Sequence, residues 1–250
     1  MPPLTPEDVK SLFCHDAVVD HYAAAAVDIG LWRSEEVFFQ QALAVSDTIL
    51  ELGCGSGRIA LGLWELGYRQ IMGTDFSREM IKSARRLAGK LEYAVPFRVA
   101  DATALKFEDA MFDGVIFGFN GLMQIPSRER RRGALREMLR VVRPGGTLVF
   151  TTHDRAVGAK PEFWTEEKER WAAGHQDPRL VEFGDLFVDG PHGDIYIHIP
   201  TRDEIVADLA AVGAEIVTDV MRSEIAQEPA DVVEFSVECR FWQVRRPAEA

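Results

Sequence analysis

The sequence predicts an α/β fold, a mostly parallel sheet with helices on both faces, and three observations predict it. The short apolar run Ile49–Leu52 breaks into glycines at alternate positions, Gly53, Gly55 and Gly57. Apolar residues at Ile59, Leu61, Leu63 and Leu66 follow, which is the pattern of strand, tight turn and helix. Further short apolar runs, two of them closed by Asp75 and Asp101, alternate with amphipathic helical stretches, the order that builds parallel sheets. At 250 residues, 47% apolar and 27% charged, the chain is long enough for one well-filled core, so one domain with an insertion accounts for it better than two.

Composition narrows the function. A formal net charge of -12 argues against binding nucleic acid mainly by phosphate neutralisation and favours a small-molecule partner. Cys14, Cys54 and Cys239 are far apart, odd in number and form no C-x-x-C pair, so neither a disulfide framework nor a zinc site is expected. No run of 18 apolar residues and no basic region followed by an apolar h-region occurs. The expectation is a soluble, cytoplasmic protein, monomer or homodimer, without membrane contact.

In chain order, residues 1–46 are expected to be helical. Thr5-Pro6-Glu7-Asp8 joins an N-cap, a first-position proline and first-turn acids. A break at Gly30 then precedes an amphipathic helix that Ser34 caps. After the glycine turn, Gly67 closes the helix, residues 70–74 form a strand ending at Asp75, and Ser77 caps a helix with Met80, Ile81, Ala84 and Leu87 on its apolar face. Asp75 is placed to accept both hydroxyls of a ribose; the alternative is a cap for the next helix. The third strand, 97–100, ends at Asp101-Ala102, where a carboxylate and a backbone N–H suit the edge of an adenine, or where Asp101 only serves the turn.

The fourth strand, through Phe117 and Gly118, runs into Asn120, which either orients an acceptor or caps the next helix. The arginine-rich helix 127–142 buries Ala134, Leu135, Met138 and Leu139 and exposes its arginines, as a solvated face or as a patch for RNA or an acidic partner. Arg143-Pro144-Gly145-Gly146 ends it before a fifth strand closed by His153 and Asp154, both able to hold or deprotonate an acceptor.

Residues 155–200 leave this alternation. They begin as a charged helix and end as a strand with Ile195, Ile197 and Ile199 on one face and Tyr196 and His198 on the other. Their aromatics, with His175, His192 and His198, suit a pocket wall or a small satellite core. No H-x-H or H-x-x-x-H pair occurs, so no metal is expected. Thr201 and Glu204 form a capping box before another helix, and strands at 214–221 and 235–244 close the sheet.

The third glycine comes one position earlier than in the dinucleotide fingerprint G-x-G-x-x-G, Arg58 stands where that fingerprint wants glycine, and acidic Glu51 precedes the turn. With an acid 18 residues beyond Gly57 and L-R-x-x-x-P-G-G before the fifth strand, the chain resembles the class I S-adenosylmethionine (SAM) dependent methyltransferases. It is nearest the small-molecule group that includes ubiquinone and menaquinone biosynthesis enzymes. The resemblance covers 47–153 by motif and 201–246 by topology.

It implies a Rossmann-like seven-stranded sheet with the last strand antiparallel. Residues 1–46 would be a helical lid, 47–154 the SAM-binding core, 155–200 an insertion covering the acceptor, and 201–250 the closing helix and strands. It implies SAM as methyl donor and S-adenosylhomocysteine as product. The binding residues would be Tyr22, Glu51, Gly53, Cys54, Gly55, Gly57, Asp75, Phe76, Met80, Asp101, Ala102, Phe117 and Gly118. Asn120, His153 and His198 are the candidate acceptor group, and His21, Trp32 and Arg33 are the other lid residues able to face a ligand. The nucleobase motifs N-P-P-Y, D-P-P-Y and Pro-Cys are absent at F-N-G-L. The rival readings are a tRNA-modifying methyltransferase, resting on the arginine helix, and an NAD-binding dehydrogenase or a non-catalytic nucleotide-binding module.

Overall fold

A computed structural model describes residues 1–157, 161–190 and 193–248. Three helices come first: α1 (Pro6–Leu12), α2 (Asp16–Asp28) and α3 (Arg33–Ala42). The alternating core is β1 (Ile49–Leu52), α4 (Arg58–Glu65), β2 (Ile71–Asp75), α5 (Arg78–Lys90), β3 (Phe97–Val99), β4 (Phe112–Phe117), α6 (Arg128–Val141) and β5 (Val142–Thr152). The insertion holds α7 (Pro161–Ala172), β6 (Asp185–Gly190) and β7 (Gly193–His198). The chain closes with α8 (Arg202–Ala211), β8 (Glu215–Met221), α9 (Arg222–Ile225), α10 (Ala230–Phe235) and β9 (Arg240–Arg245).

Seven strands form one sheet in the order β3-β2-β1-β4-β5-β9-β8, with β1 to β5 parallel and β9 antiparallel to both its neighbours. All four residues of β1 are buried, as a central parallel strand covered on both faces requires. Ile49 joins a core with α3, α4 and α5 through Phe39, Leu63 and Ile81. Leu50 and Leu52 join the opposite core with α6 and α8 through Leu135, Met138 and Leu209. This is the α/β architecture that the alternation predicts, with its last strand antiparallel.

Locally encoded ends form as expected. Thr5 Oγ1 accepts from Asp8 N, Ser77 Oγ from Met80 N and Thr201 Oγ1 from Glu204 N. Ser34 is a correction. The helix begins two residues earlier, at Arg33 with Trp32 as its N-cap, Ser34 is buried in its first turn, and Glu228 caps the end from about 195 residues away, accepting from the N–H groups of Arg33 and Ser34.

Residues 143–146 are a second correction. They form a bulge inside β5 rather than a turn before it, since Phe112 pairs with Val142 but Gly114 with Thr147. A Cβ at Gly146 would lie 2.7 Å from the Asp113 carbonyl oxygen, so the bulge closes only around glycine. A third concerns β9, which starts at Arg240; residues 230–235 form the short α10.

The arginines of α6 are largely engaged within the fold. Arg131 is 2% exposed and bonds Glu182 and the Ile125 carbonyl. Arg128 and Arg132 share Asp208, and Arg140 holds Glu137 and Asp109. This neutralises the patch on which an RNA-binding reading rested. The insertion adds an unexpected strand, β6, which pairs only with β7 in a separate two-stranded sheet. That hairpin packs Ile195 and Tyr196 against Val9, Val18 and Val19 of the first two helices and Phe13 between them. His192 lies outside the described residues. No helix among the described residues is long and apolar enough to cross a membrane.

Candidate functional site

A cavity of about 630 Å³ opens at the carboxyl ends of β1, β2, β3 and β4, where ligands of open α/β sheets bind. Its floor is the first part of the glycine turn, Gly53 to Ser56, with φ of +61° at Gly53 and +53° at Gly55. Gly57, expected at the cofactor, is a correction: it lies at φ +95° outside the lining, facing the Phe97 and Ala84 side chains. At Gly53 the turn has two reasons to exclude a side chain. The left-handed backbone is one, and a Cβ there would stand 2.7 Å from Phe117 Cε2. We expect Gly53→Ala to cost ~1–3 kcal/mol of stability, read as a lowered urea midpoint. An unchanged midpoint would show that the turn is not constrained at this position.

Asp75, at the tip of β2, braces the turn. Its Oδ2 accepts from Gly55 N at 2.9 Å and its Oδ1 from Ser77 N at 2.8 Å. Burial raises its pKa to about 6, against the opposing pull of these two bonds and of Lys10. The cap of α5 is the Ser77 hydroxyl, so Asp75 is left to the turn and the cavity that it lines. Glu51, 2% exposed, also lines the cavity, and its Oε2 has no partner among the described residues. Burial pushes its pKa up to about 8, opposed by the Arg58 charge and the Ala60 backbone N–H.

Cys54, Phe76, Met80, Ala102, Phe117 and Gly118 complete the expected lining. Asp101 lines it as well while serving its turn, since Oδ1 accepts from the Thr103 N–H and hydroxyl. Tyr22 of α2 lines the cavity from the N-terminal helices; burial and then the Asp75 charge raise its phenol to about 12.

The three candidate acceptor residues separate. Asn120 and His153 pair, Nδ2 to Nε2 at 3.1 Å, and His153 Nδ1 lies 2.9 Å from the Glu238 carbonyl oxygen. A carbonyl only accepts, so Nδ1 carries the proton and Nε2 accepts from the Asn120 amide. Burial lowers the His153 pKa, so the ring is neutral. Neither residue lines the cavity, because Phe119 stands there instead. His198 lies away from both, buried in the hairpin with Nδ1 2.9 Å from Asp185 Oδ1.

Glu182, Asp185 and His198 bring potential ligand atoms within 4.8 Å of one another, a grouping sequence spacing did not signal. The Arg131 guanidinium sits on Glu182, and both Asp185 oxygens already accept hydrogen bonds, from Tyr196 and His198 and from two backbone N–H groups. The cluster is satisfied internally.

Sequence reasoning missed the role of Arg58 and Glu35. Arg58 sits beside the glycine turn and lines the cavity. Its guanidinium bonds both Glu35 oxygens at 2.5 and 2.6 Å and the Gly30 carbonyl at 3.0 Å, and lies 4.6 Å from the Trp32 ring centroid. The available signal was a lone arginine directly after the third glycine. No described residue of 155–200 lines the cavity.

A family model described as a methyltransferase domain matches residues 49–146. Demethylmenaquinone methyltransferase from Desulfitobacterium hafniense (strain Y51) is 37% identical over 139 residues, 53% of this chain and 53% of the relative. Methyltransferase GfsG from Streptomyces halstedii is 33% identical over 167 residues, 62% of this chain and 58% of the relative. The chain thus spans about half the length of the curated relatives it matches. Among solved structures, a SAM-dependent methyltransferase from Methanosarcina mazei superposes with a TM-score of 0.68 at 23% identity, over 85% of this chain and 98% of that one. The [4+2]-cyclase SpnF superposes with a TM-score of 0.69 at 19% identity, over 100% and 99%. At these identities the likeness is one of fold.

Proposed function

We propose, from the match of residues 49–146 to a methyltransferase domain, that the protein is a class I SAM-dependent methyltransferase that moves a methyl group from SAM to a small-molecule acceptor. The observation that carries this reading is the convergence of the glycine turn, Glu51, Asp75 and Asp101 on one cavity. The group fits these residues. A turn without side chains admits an amino-acid tail, and the Glu51 Oε2, unpartnered among the described residues, suits its ammonium group. Each Asp75 oxygen keeps a lone pair for a ribose hydroxyl beside its backbone bond. Asp101 and the Ala102 N–H suit the adenine edge, and Phe117 and Gly118 wall the methyl-bearing end.

SAM supplies a methyl group already activated on a sulfonium, so little covalent help is required of the protein. The chain's own part is to orient two reactants in line, an effect that can supply ~7–11 kcal/mol of a barrier. Tyr22 and the helices over it exclude water. Among the described residues the lining offers no histidine. This favours acceptors that reach the site already nucleophilic. Relatives named for demethylmenaquinone methylation and for O-methylation support a small organic acceptor. A cytoplasmic monomer or homodimer, with 1–46 as its lid, belongs to the same proposal.

Calorimetric titration with SAM, S-adenosylhomocysteine and NAD tests it. Binding of the first two, followed by methyl incorporation in a metabolite extract, is expected; binding of NAD alone overturns it. Asp75→Asn should weaken SAM binding by roughly tenfold or more, the worth of a charge-assisted hydrogen bond, with the unfolding transition retained. Unaltered affinity in that variant would remove Asp75 from the ribose site.

A further inference from the structure

No described residue of the insertion lines the cavity, yet the insertion reaches one cavity wall through an intermediary. That wall is the segment after β4, where Phe119, Gly121, Gln124, Ile125 and Pro126 line the space. Its backbone is held in costly conformations. Phe119, Asn120 and Ser127 have φ of +46°, +59° and +68°, three of the five left-handed non-glycine residues among those described, and such positions persist only where their surroundings fix them. Gly121 opens the short 3-10 helix Gly121–Gln124, and a Cβ there would collide with the Phe117 ring. The place of this wall therefore also sets the place of Phe117.

The fixing group is Arg131 of α6, 2% exposed. Its Nη1 donates to the Ile125 carbonyl at 3.2 Å and its Nη2 to Glu182 of the insertion. Glu182 is anchored in turn, because its N–H donates to Asp185 Oδ2 and its carbonyl accepts from Asp185 N, both at 3.0 Å. Asp185 is fully buried and bonds Tyr196 and His198 of β7. That strand packs directly against Gly121–Gln124, and its Ile197 shares a core with Leu122 and Met123. A guanidinium carries donors on separate nitrogens and holds two acceptors at once, which an ammonium on a flexible stem does not reproduce.

We propose that Arg131 is a positioning residue for methyl transfer: tied to the insertion through Glu182, it holds the wall 119–127 in place, so that the insertion shapes the acceptor side of the cavity without touching it. The wall continues from Phe117 and Gly118, and the proposal rests on the methyl-transfer reading only for calling this side the acceptor's. The donor groups have other supports, since Asp75 is held by Gly55 and Ser77 and Asp101 by Thr103. Loss of the Arg131 link thus loosens one wall and spares the other.

Hydrogen exchange of the full-length protein, read by mass spectrometry, tests the wall. In Arg131→Met, exchange within 119–127 should rise about tenfold, the worth of a buried hydrogen bond from a charged donor, while peptides spanning 53–57 and 71–75 keep the parent's rates. Calorimetry with SAM, set beside methyl incorporation in a metabolite extract, tests the consequence. SAM affinity should stay within about twofold of the parent's while incorporation falls roughly tenfold or more, as misplaced reactants require. Arg131→Lys, which keeps the charge without the fork, should recover part of both losses, and Glu182→Gln should reproduce them in smaller measure. Where Arg131→Met does not fold, those two variants carry the same comparison. Unchanged exchange in 119–127, exchange raised equally in every peptide, or SAM affinity lost in step with incorporation overturns the positioning role. If the parent binds neither SAM nor S-adenosylhomocysteine, the methyl-transfer reading falls, and the exchange rates still decide whether Arg131 fixes the wall.

Discussion

Arg58→Ala is expected to lower the free energy of unfolding by about 3–5 kcal/mol, because it leaves the Glu35 carboxylate buried without its counter-charge. The side chains of Arg58 and Glu35 are 9% and 1% exposed, so water cannot substitute for the lost partner. The guanidinium also ties the Gly30 carbonyl to the start of α4 and lies between Trp32 and Phe119, 4.6 and 5.7 Å from their ring centroids. One side chain therefore joins the helical segment before β1 to the glycine turn after it. Urea unfolding of Arg58→Met, Glu35→Gln and the double variant isolates the pair. The double variant should recover at least ~1 kcal/mol relative to the sum of the single losses. A single-variant loss below ~1 kcal/mol would place the pair among weak surface ion pairs and remove it as the fastening between the N-terminal helices and the glycine turn.

How much could be read beforehand depends on the range of the interactions. The glycine turn, the Ser77 cap and the Thr201–Glu204 box involve residues within a few positions of one another, and each formed where the residue pattern placed it. The cavity was legible for the same reason. Strand ends carry Gly53, Asp75, Asp101 and Phe117, and parallel pairing of adjacent strands must gather strand ends on one edge. What escaped was set by distant partners. Glu228 caps a helix 194 residues before it, and no local pattern announces that. Strand β6 pairs only with β7 and leaves Val188 exposed, so its alternation is weak. Arg131 looked like one more solvated arginine until Glu182 arrived from the insertion. His153 and His198 are both histidines at strand ends, yet the first ends a strand of the main sheet and the second a detached hairpin, a difference of chain path that neither residue encodes.

Stability should fall as pH rises from about 5 to 8, and Glu51→Gln should abolish the upper part of that fall. The folded chain holds the Glu51 proton up to about pH 8, whereas the unfolded chain releases it near 4.5. Between those values the native state binds more protons, so raising the pH favours unfolding, and the loss is complete above the folded pKa. Asp75 acts with the same sign over a lower window, from 3.8 to about 6, which leaves the span from 6 to 8 to Glu51. Across its whole window the Glu51 contribution is on the order of 5 kcal/mol. Melting temperatures of parent and Glu51→Gln should nearly coincide at pH 4.5 and diverge by pH 8 in favour of the variant. Parallel curves would show that the carboxyl is ionised in the fold throughout. The same proton couples to the ligand. A cation bound beside Glu51 draws its pKa down, so SAM binding at pH 7 should release a proton and tighten by up to about tenfold per pH unit between 6 and 7. Calorimetry in two buffers of different ionisation enthalpy measures that release. Glu51→Gln should bind more weakly without releasing it, which separates loss of the carboxyl's charge from damage to the turn that carries it.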